Sequence, residues 1–194
     1  DYYRAGAQCA ITASYQATPA GFAARGLDEA QSKALIGKSV ELARKAREAY
    51  LAENPQAGTL LVAGSVGPYG AYLADGSEYR GNYGVSEETL YEFHKHRMEL
   101  LWEAGADLLL METQPSLKEA LTEAKIAEEI GADYWISFSC MDEKHINEGE
   151  KIAECAKIFS QDAYKYPHLK MLGVNCTKPV YIGRLIRELR AGTD

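Results

Sequence analysis

The sequence has little of several features that would otherwise direct its reading. Its four cysteines, at positions 9, 140, 155 and 176, lack the compact spacing of a disulfide framework or a zinc finger. Reduced thiols in a cytoplasmic protein are therefore expected. No apolar run approaches the roughly 20 residues of a membrane-spanning helix, and Asp1-Tyr2-Tyr3-Arg4 does not open a secretory signal. Positive charge is in the minority: 21 Lys and Arg stand against 28 Asp and Glu, a formal charge of −7. That balance argues against nucleic acid or an anionic membrane as a partner. There is no H-E-x-x-H metal motif and no G-x-S-x-G nucleophile elbow. The stretch Gly64-Ser65-Val66-Gly67-Pro68-Tyr69-Gly70 has the glycines of a phosphate loop, but neither its GK[ST] ending nor a G-x-G-x-x-G spacing.

What is present is an ordinary globular composition, 46% apolar and 25% charged over 194 residues, enough to bury a sizeable core in one domain. The chain has no initiator Met, opens as if inside a helix and stops just after another. A single domain over 1–194, incomplete at both ends, is the expectation.

The strongest internal signal is a recurring joint. Gly6-Ala7-Gln8, Gly105-Ala106-Asp107 and Gly131-Ala132-Asp133 each close a helical pattern with a glycine suited to a left-handed cap, then open an apolar run. The runs predicted as strands are 9–15, 60–66, 108–113, 134–140 and 171–176. All are short and non-alternating, as strands buried on both faces should be. Between them the periodicity predicts helices over 27–54, 86–104, from Ser116 onward, 149–160 and 179–190. In 86–104, Leu90, Phe93, Arg97, Leu101 and Trp102 share a stripe. The next helix opens on Ser116 with Glu119 three residues on, the pattern of a capping box. Such alternation implies an α/β fold with a parallel sheet. An open doubly wound sheet and a (β/α)8 barrel both fit it.

In either architecture the chemistry lies at the carboxyl ends of the strands. Those ends are rich in thiol, carboxylate, amide and hydroxyl groups. Cys176 closes an apolar run and precedes the helix start Thr177-Lys178-Pro179, where a thiolate is favoured; a small buried apolar cysteine is the plainer reading. Cys140 ends the preceding strand, so the two thiols can be rim neighbours, whereas Cys9 and Cys155 read as core. Glu112 directly continues Leu108-Leu109-Leu110-Met111, and a carboxylate there is costly to desolvate unless something pairs with it. Ligand binding and a solvated loop carboxylate both remain open. Tyr69, Tyr72, Tyr79 and Tyr83 suit an ordered loop over the sheet's end, or plain surface positions.

Taken in order, four of these strand ends resemble the homocysteine S-methyltransferase family: 10–18 (Ala-Ile-Thr-Ala-Ser-Tyr-Gln-Ala-Thr), 62–71 (Val-Ala-Gly-Ser-Val-Gly-Pro-Tyr-Gly-Ala), Glu112-Thr113, and Gly173-Val174-Asn175-Cys176. The first half particularly resembles bacterial enzymes that use S-methylmethionine. The resemblance implies a TIM-type (β/α)8 barrel, of which about five central strand-helix units are present. It implies zinc held by three cysteines, with Cys176 in the G-[VI]-N-C motif and a Cys-Cys pair beyond residue 194. It places Glu112 against the amino group of homocysteine, and Tyr15 and Asn175 in the pocket. Cys140 and His145 are the other residues able to serve as ligands. The implied reaction moves a methyl group from a sulfonium donor, S-methylmethionine or S-adenosylmethionine, to homocysteine thiolate, giving methionine. Betaine or methyltetrahydrofolate as donor, and a non-catalytic barrel fragment that at most binds a small amino acid, are the alternatives.

Overall fold

The computed structural model describes residues 1–193. Its elements alternate: β1 (Cys9–Ile11), α1 (Pro19–Ala23), α2 (Glu29–Glu53), β2 (Leu61–Val66), α3 (Tyr69–Leu73), α4 (Glu87–Glu103), β3 (Leu108–Gln114), α5 (Leu117–Ile130), β4 (Tyr134–Phe138), α6 (Ile152–Gln161), β5 (Leu169–Val174) and α7 (Pro179–Thr193). The five strands form one sheet in the order β1-β2-β3-β4-β5, every pair parallel. A doubly wound sheet reverses its order at a switch point, whereas a barrel wall keeps chain order. The order here is that of a barrel wall. No helix among the described residues is long and apolar enough to cross a membrane.

The recurring joint forms the amino-terminal rim of the sheet. Gly105 and Gly131 take φ of +90° and +66°, the left-handed conformation in which a helix ends cheaply only with glycine. The aspartates that follow satisfy backbone and side chains across the rim. Asp107 accepts Val62 N–H at 2.7 Å and pairs with Arg47. Asp133 holds His168 at 3.0 Å and Lys170 at 2.9 Å.

The core lies between the sheet and its helices. Val62, Leu109, Met111, Tyr134 and Ile136 bury completely against Ile36, Val40, Met98, Leu101, Ile126 and Phe159. β1 and β5 pair on one side only, and Ile11 and Met171 on these edges are more than half exposed.

The structure departs from the sequence reading in two places. β1 stops at Ile11 instead of running to residue 15, because side chains replace the ladder beyond it. Ser65 N–H donates to Thr12 Oγ1 at 2.9 Å, and Ser14 Oγ donates to Ser65 O at 2.8 Å. The capping box at Ser116 is also only half made. Ser116 Oγ accepts Glu119 N–H, but the Glu119 side chain turns inward to other partners, described below.

Candidate functional site

The four predicted residues lie at the carboxyl rim, Tyr15 after β1, Glu112 on β3, and Asn175 and Cys176 just after β5. Ser65, the fifth residue of β2, donates its hydroxyl to Glu112 Oε1. The β3–β4 register shifts between Met111 and Gln114, and in that irregularity Thr113 adopts φ +61°. A β-branched residue there is a conformational outlier costing about 1–3 kcal/mol. The distortion turns Thr113 toward β5. Its N–H donates to Asn175 Oδ1 at 2.8 Å, and Asn175 Nδ2 donates to Thr113 Oγ1 at 2.9 Å. Asn175 Nδ2 also reaches Glu112 Oε2 at 3.5 Å.

Cys176, just past the end of β5, is the second strained residue, with φ +46°. Thr113 Oγ1 and Asn175 Nδ2 direct hydrogens at its sulfur over 3.5 and 3.7 Å, an arrangement that suits an anionic sulfur. Its side chain is exposed, unlike those of Cys140 and Cys155. Tyr15 completes the group. Its phenol is pushed up by burial, and it lies near Thr113 and Cys176. The Tyr79 phenol is raised chiefly by the Cys176 sulfur.

The β2–α3 loop fits against Tyr15 because Gly67 carries no Cβ, and α3 fits against the turn at Ser77 and Glu78 because Gly70 carries none. A Cβ on Gly67 would stand 2.5 Å from Tyr15 O and 2.7 Å from its ring. One on Gly70 would stand 2.4 Å from Glu78 N. Gly67→Ala is accordingly expected to lower stability by about 1–3 kcal/mol, the usual cost of overpacking, measurable as a shift of the urea midpoint at unchanged slope. Beside Tyr15 opens a cavity of about 630 Å³, lined in part by Gln16, Phe22, Arg25, Ala71 and Tyr72.

Cys140 is the rim neighbour expected of it: its N–H donates to Thr177 Oγ1 at 2.9 Å. Its thiol is 7% exposed, and burial pushes it up to about 12, which makes it a poor thiolate ligand. His145 is taken by Asp142, 2.9 Å from its Nδ1. Cys155 is core as read, whereas Cys9 is only partly buried.

A second polar group was not legible as a site. His94 and Arg97 on α4 and Glu119 and Glu123 on α5 are all buried to 1% exposure or less. Their signal lay in the apolar stripes: Arg97 falls on that of α4, and Glu119 and Glu123 are one turn apart on α5 beside Ala120, Ala124 and Ala127. His94-Lys95-His96 does spell H-x-H, but consecutive helical directions diverge. His96 instead lies 3.8 Å from Glu99 near the surface. His94, Glu119 and Glu123 offer atoms within 4.8 Å of one another, as a metal would need. The imidazole, however, stands between the carboxylates, with Nε2 2.8 Å from Glu119 and Nδ1 3.1 Å from Glu123. Arg97 adds its own positive charge to both. With a guanidinium nearby and Nε2 hydrogen-bonded to Glu119, the cluster is a poorer cation site than its ligand types alone suggest.

For zinc, the rim supplies one well-presented thiolate ligand in Cys176. Among the described residues no set of three potential ligands includes it.

The sequence profile described as Homocysteine S-methyltransferase matches residues 1–194. The chain is 65% identical over 178 residues to a homocysteine S-methyltransferase of Escherichia coli (strain K12), covering 91% of this chain and 56% of that protein. It is 50% identical to homocysteine S-methyltransferase YbgG of Bacillus subtilis (strain 168), covering 100% of this chain and 62% of the relative. Among solved structures, the metallated form of the homocysteine methyltransferase MmuM from Escherichia coli superposes with a TM-score of 0.92 at 60% identity. That match covers 97% of this chain and 64% of MmuM. The apo form superposes with a TM-score of 0.81. The chain thus spans roughly three fifths of the length of these relatives. By profile, by identity and by fold, it belongs to the homocysteine S-methyltransferase family.

Proposed function

We propose that the rim site binds homocysteine and serves zinc-dependent transfer of a methyl group from a sulfonium donor to its thiolate, giving methionine. The observation that carries this reading is the row Ser65–Glu112–Asn175–Thr113–Cys176, which sets a buttressed carboxylate and an exposed thiol on one rim.

The substrate's two ends meet different parts of that row. Glu112 receives the ammonium group, and hydrogen bonds from Ser65 and Asn175 fix the direction of its oxygens. Cys176 contributes one thiolate to zinc, with Thr113 and Asn175 donating to its sulfur. Zinc, when bound, supplies a deprotonated homocysteine sulfur at neutral pH. Holding that sulfur in place replaces a bimolecular encounter with a positioned one. The sulfur attacks the methyl carbon as the bond to the sulfonium sulfur breaks; that sulfur keeps the electron pair and leaves as a neutral thioether. The cavity beside Tyr15 has room for the donor. The aromatic faces of Tyr15, Phe22 and Tyr72 attract a cation, and Arg25 suits the carboxylate shared by S-methylmethionine and S-adenosylmethionine.

Glu112→Gln tests the substrate half of this reading. Losing one charged hydrogen-bond partner is expected to weaken homocysteine binding about 10–100-fold by calorimetry. Binding of 4-mercaptobutanoate, which lacks the amino group, should not change. Equal loss for both ligands would overturn the assignment of Glu112. Comparing turnover with S-methylmethionine and S-adenosylmethionine decides the donor. The single thiolate at the rim favours a second reading, a barrel segment that binds the amino acid without turning it over. Homocysteine binding with no methionine formed when zinc is supplied would support that second reading.

A further inference from the structure

The β2–α3 loop is held from behind by charged groups that never meet solvent. Arg97 donates a guanidinium hydrogen bond to Gly67 O, and Tyr69 N–H donates to Glu119 Oε1 at 2.5 Å. Pro68 between them has no N–H to satisfy. Gly67 N–H in turn donates to Tyr15 O at 3.2 Å, in direct contact with the Tyr15 ring. The Tyr15 side chain lies near Thr113 and Cys176. A chain of contacts therefore runs from the interior of α4 and α5 through the Gly67–Tyr69 backbone to Tyr15.

We propose that Arg97, Glu119, His94 and Glu123 form one buried positioning unit, which fixes the Gly67–Tyr69 backbone and through it sets Tyr15 in the homocysteine site. The role rests on the proposed function; the contacts do not. Charge in the unit is arranged economically. Burial pushes the His94 imidazole down to about 4, so it is neutral. Burial, then the Glu119 charge, holds the Glu123 carboxyl well above its ordinary range, so it keeps its proton. Arg97 supplies the positive charge that both acids feel. His94 Nε2 hydrogen-bonds with Glu119 Oε1, and Nδ1 lies 3.1 Å from Glu123 without hydrogen-bond geometry. Gln114, buried beside Glu123, and Tyr83, close to Glu119, are the remaining polar neighbours.

This arrangement distinguishes two acids that composition treats alike. Glu123→Gln replaces a neutral acid by a neutral amide of the same shape and should change little. Glu119→Gln replaces the carboxyl group that accepts from Tyr69 N–H and hydrogen-bonds with His94 Nε2 by an amide. The test is amide hydrogen exchange of the 194-residue chain, followed by NMR, together with homocysteine affinity and melting temperature. Glu119→Gln is expected to speed exchange at Tyr69 about tenfold, the difference between a charge-assisted and a neutral hydrogen bond. Homocysteine binding should weaken severalfold. Glu123→Gln should leave both within about twofold, with the two melting temperatures alike. Equal effects of the two variants, or a Glu119→Gln effect on melting temperature alone, would overturn the proposal. Should Glu119→Gln fail to fold, Arg97→Lys probes the other end of the loop through exchange of its amides. If the wild-type chain binds no homocysteine, the functional reading fails and the exchange data still decide the positioning.

Discussion

Arg97→Met is expected to destabilise the protein by about 3–5 kcal/mol, because it strands a buried carboxylate without its counter-charge. Methionine fills much the same space, so the cost is electrostatic and not a cavity. Arg97 keeps its charge at neutral pH even though burial lowers it to about 10, and the nearby charges of Glu123 and Glu119 favour that charge; both acids are fully buried. Losing the guanidinium also orphans Gly67 O, a buried acceptor worth a further roughly 1–3 kcal/mol when left unmade. Urea unfolding measures the sum as a fall in midpoint at constant slope. The double variant Arg97→Met with Glu119→Gln separates the terms. With no net charge left to compensate, it should recover most of the electrostatic loss, since exchanging a whole buried pair for neutral groups is often close to neutral. A loss below about 1 kcal/mol in the single variant, or additive losses in the double, would show that Arg97 and Glu119 are not electrostatically coupled across the buried cluster.

Cys176→Ser is expected to reduce zinc binding and zinc-dependent methionine formation by at least about 100-fold. Losing a ligand should cost no less than losing the groups that merely orient ligands, which is typically 10–100-fold. Serine has nearly the same shape, and its oxygen can still accept from Thr113 and Asn175, so the fold should be unaffected. Cys140→Ser is the matched control. Cys140 sits at the same rim with a buried thiol raised to about 12, and its replacement should leave zinc content and turnover unchanged. Elemental analysis of protein purified without chelator, alongside methionine formation, reads both variants. If Cys176→Ser keeps its zinc and turnover, Cys176 is not a ligand. If Cys140→Ser loses them, the metal lies on the other thiol of the rim.

Much of the fold was legible because short-range physics dictates it. The joints at Gly105 and Gly131 need left-handed caps, and the apolar runs after them are too dense to be anything but strands covered on both faces. All five runs became strands of one parallel sheet. The ends were less readable. The run from Cys9 left the ladder at Ile11 because Thr12 and Ser14 hydroxyls satisfied β2 instead of backbone groups, and hydroxyls read as strand-formers in either role. Glu119 misled for a similar reason. Three residues after Ser116 it fits a capping box, but Tyr69 N–H and His94, 50 and 25 residues away in sequence, hold its carboxylate more firmly than the local backbone does.

By itself the sequence determined the strand-helix alternation, the rim on which chemistry would collect, and the residue types there, because periodicity, helix caps and strand ends are local properties. It also determined family membership, since Gly173-Val174-Asn175-Cys176 and its companion motifs recur in order. Only the tertiary structure decided which groups meet. The distortion at Thr113 brings Asn175, Glu112 and Cys176 into one hydrogen-bonded row. Burial between α4 and α5 pushes the His94 imidazole down and the Glu123 carboxyl up, each toward its neutral form. Protonation inside a protein depends on the desolvation and the neighbouring charges at each point in space, and the packing of distant segments creates both.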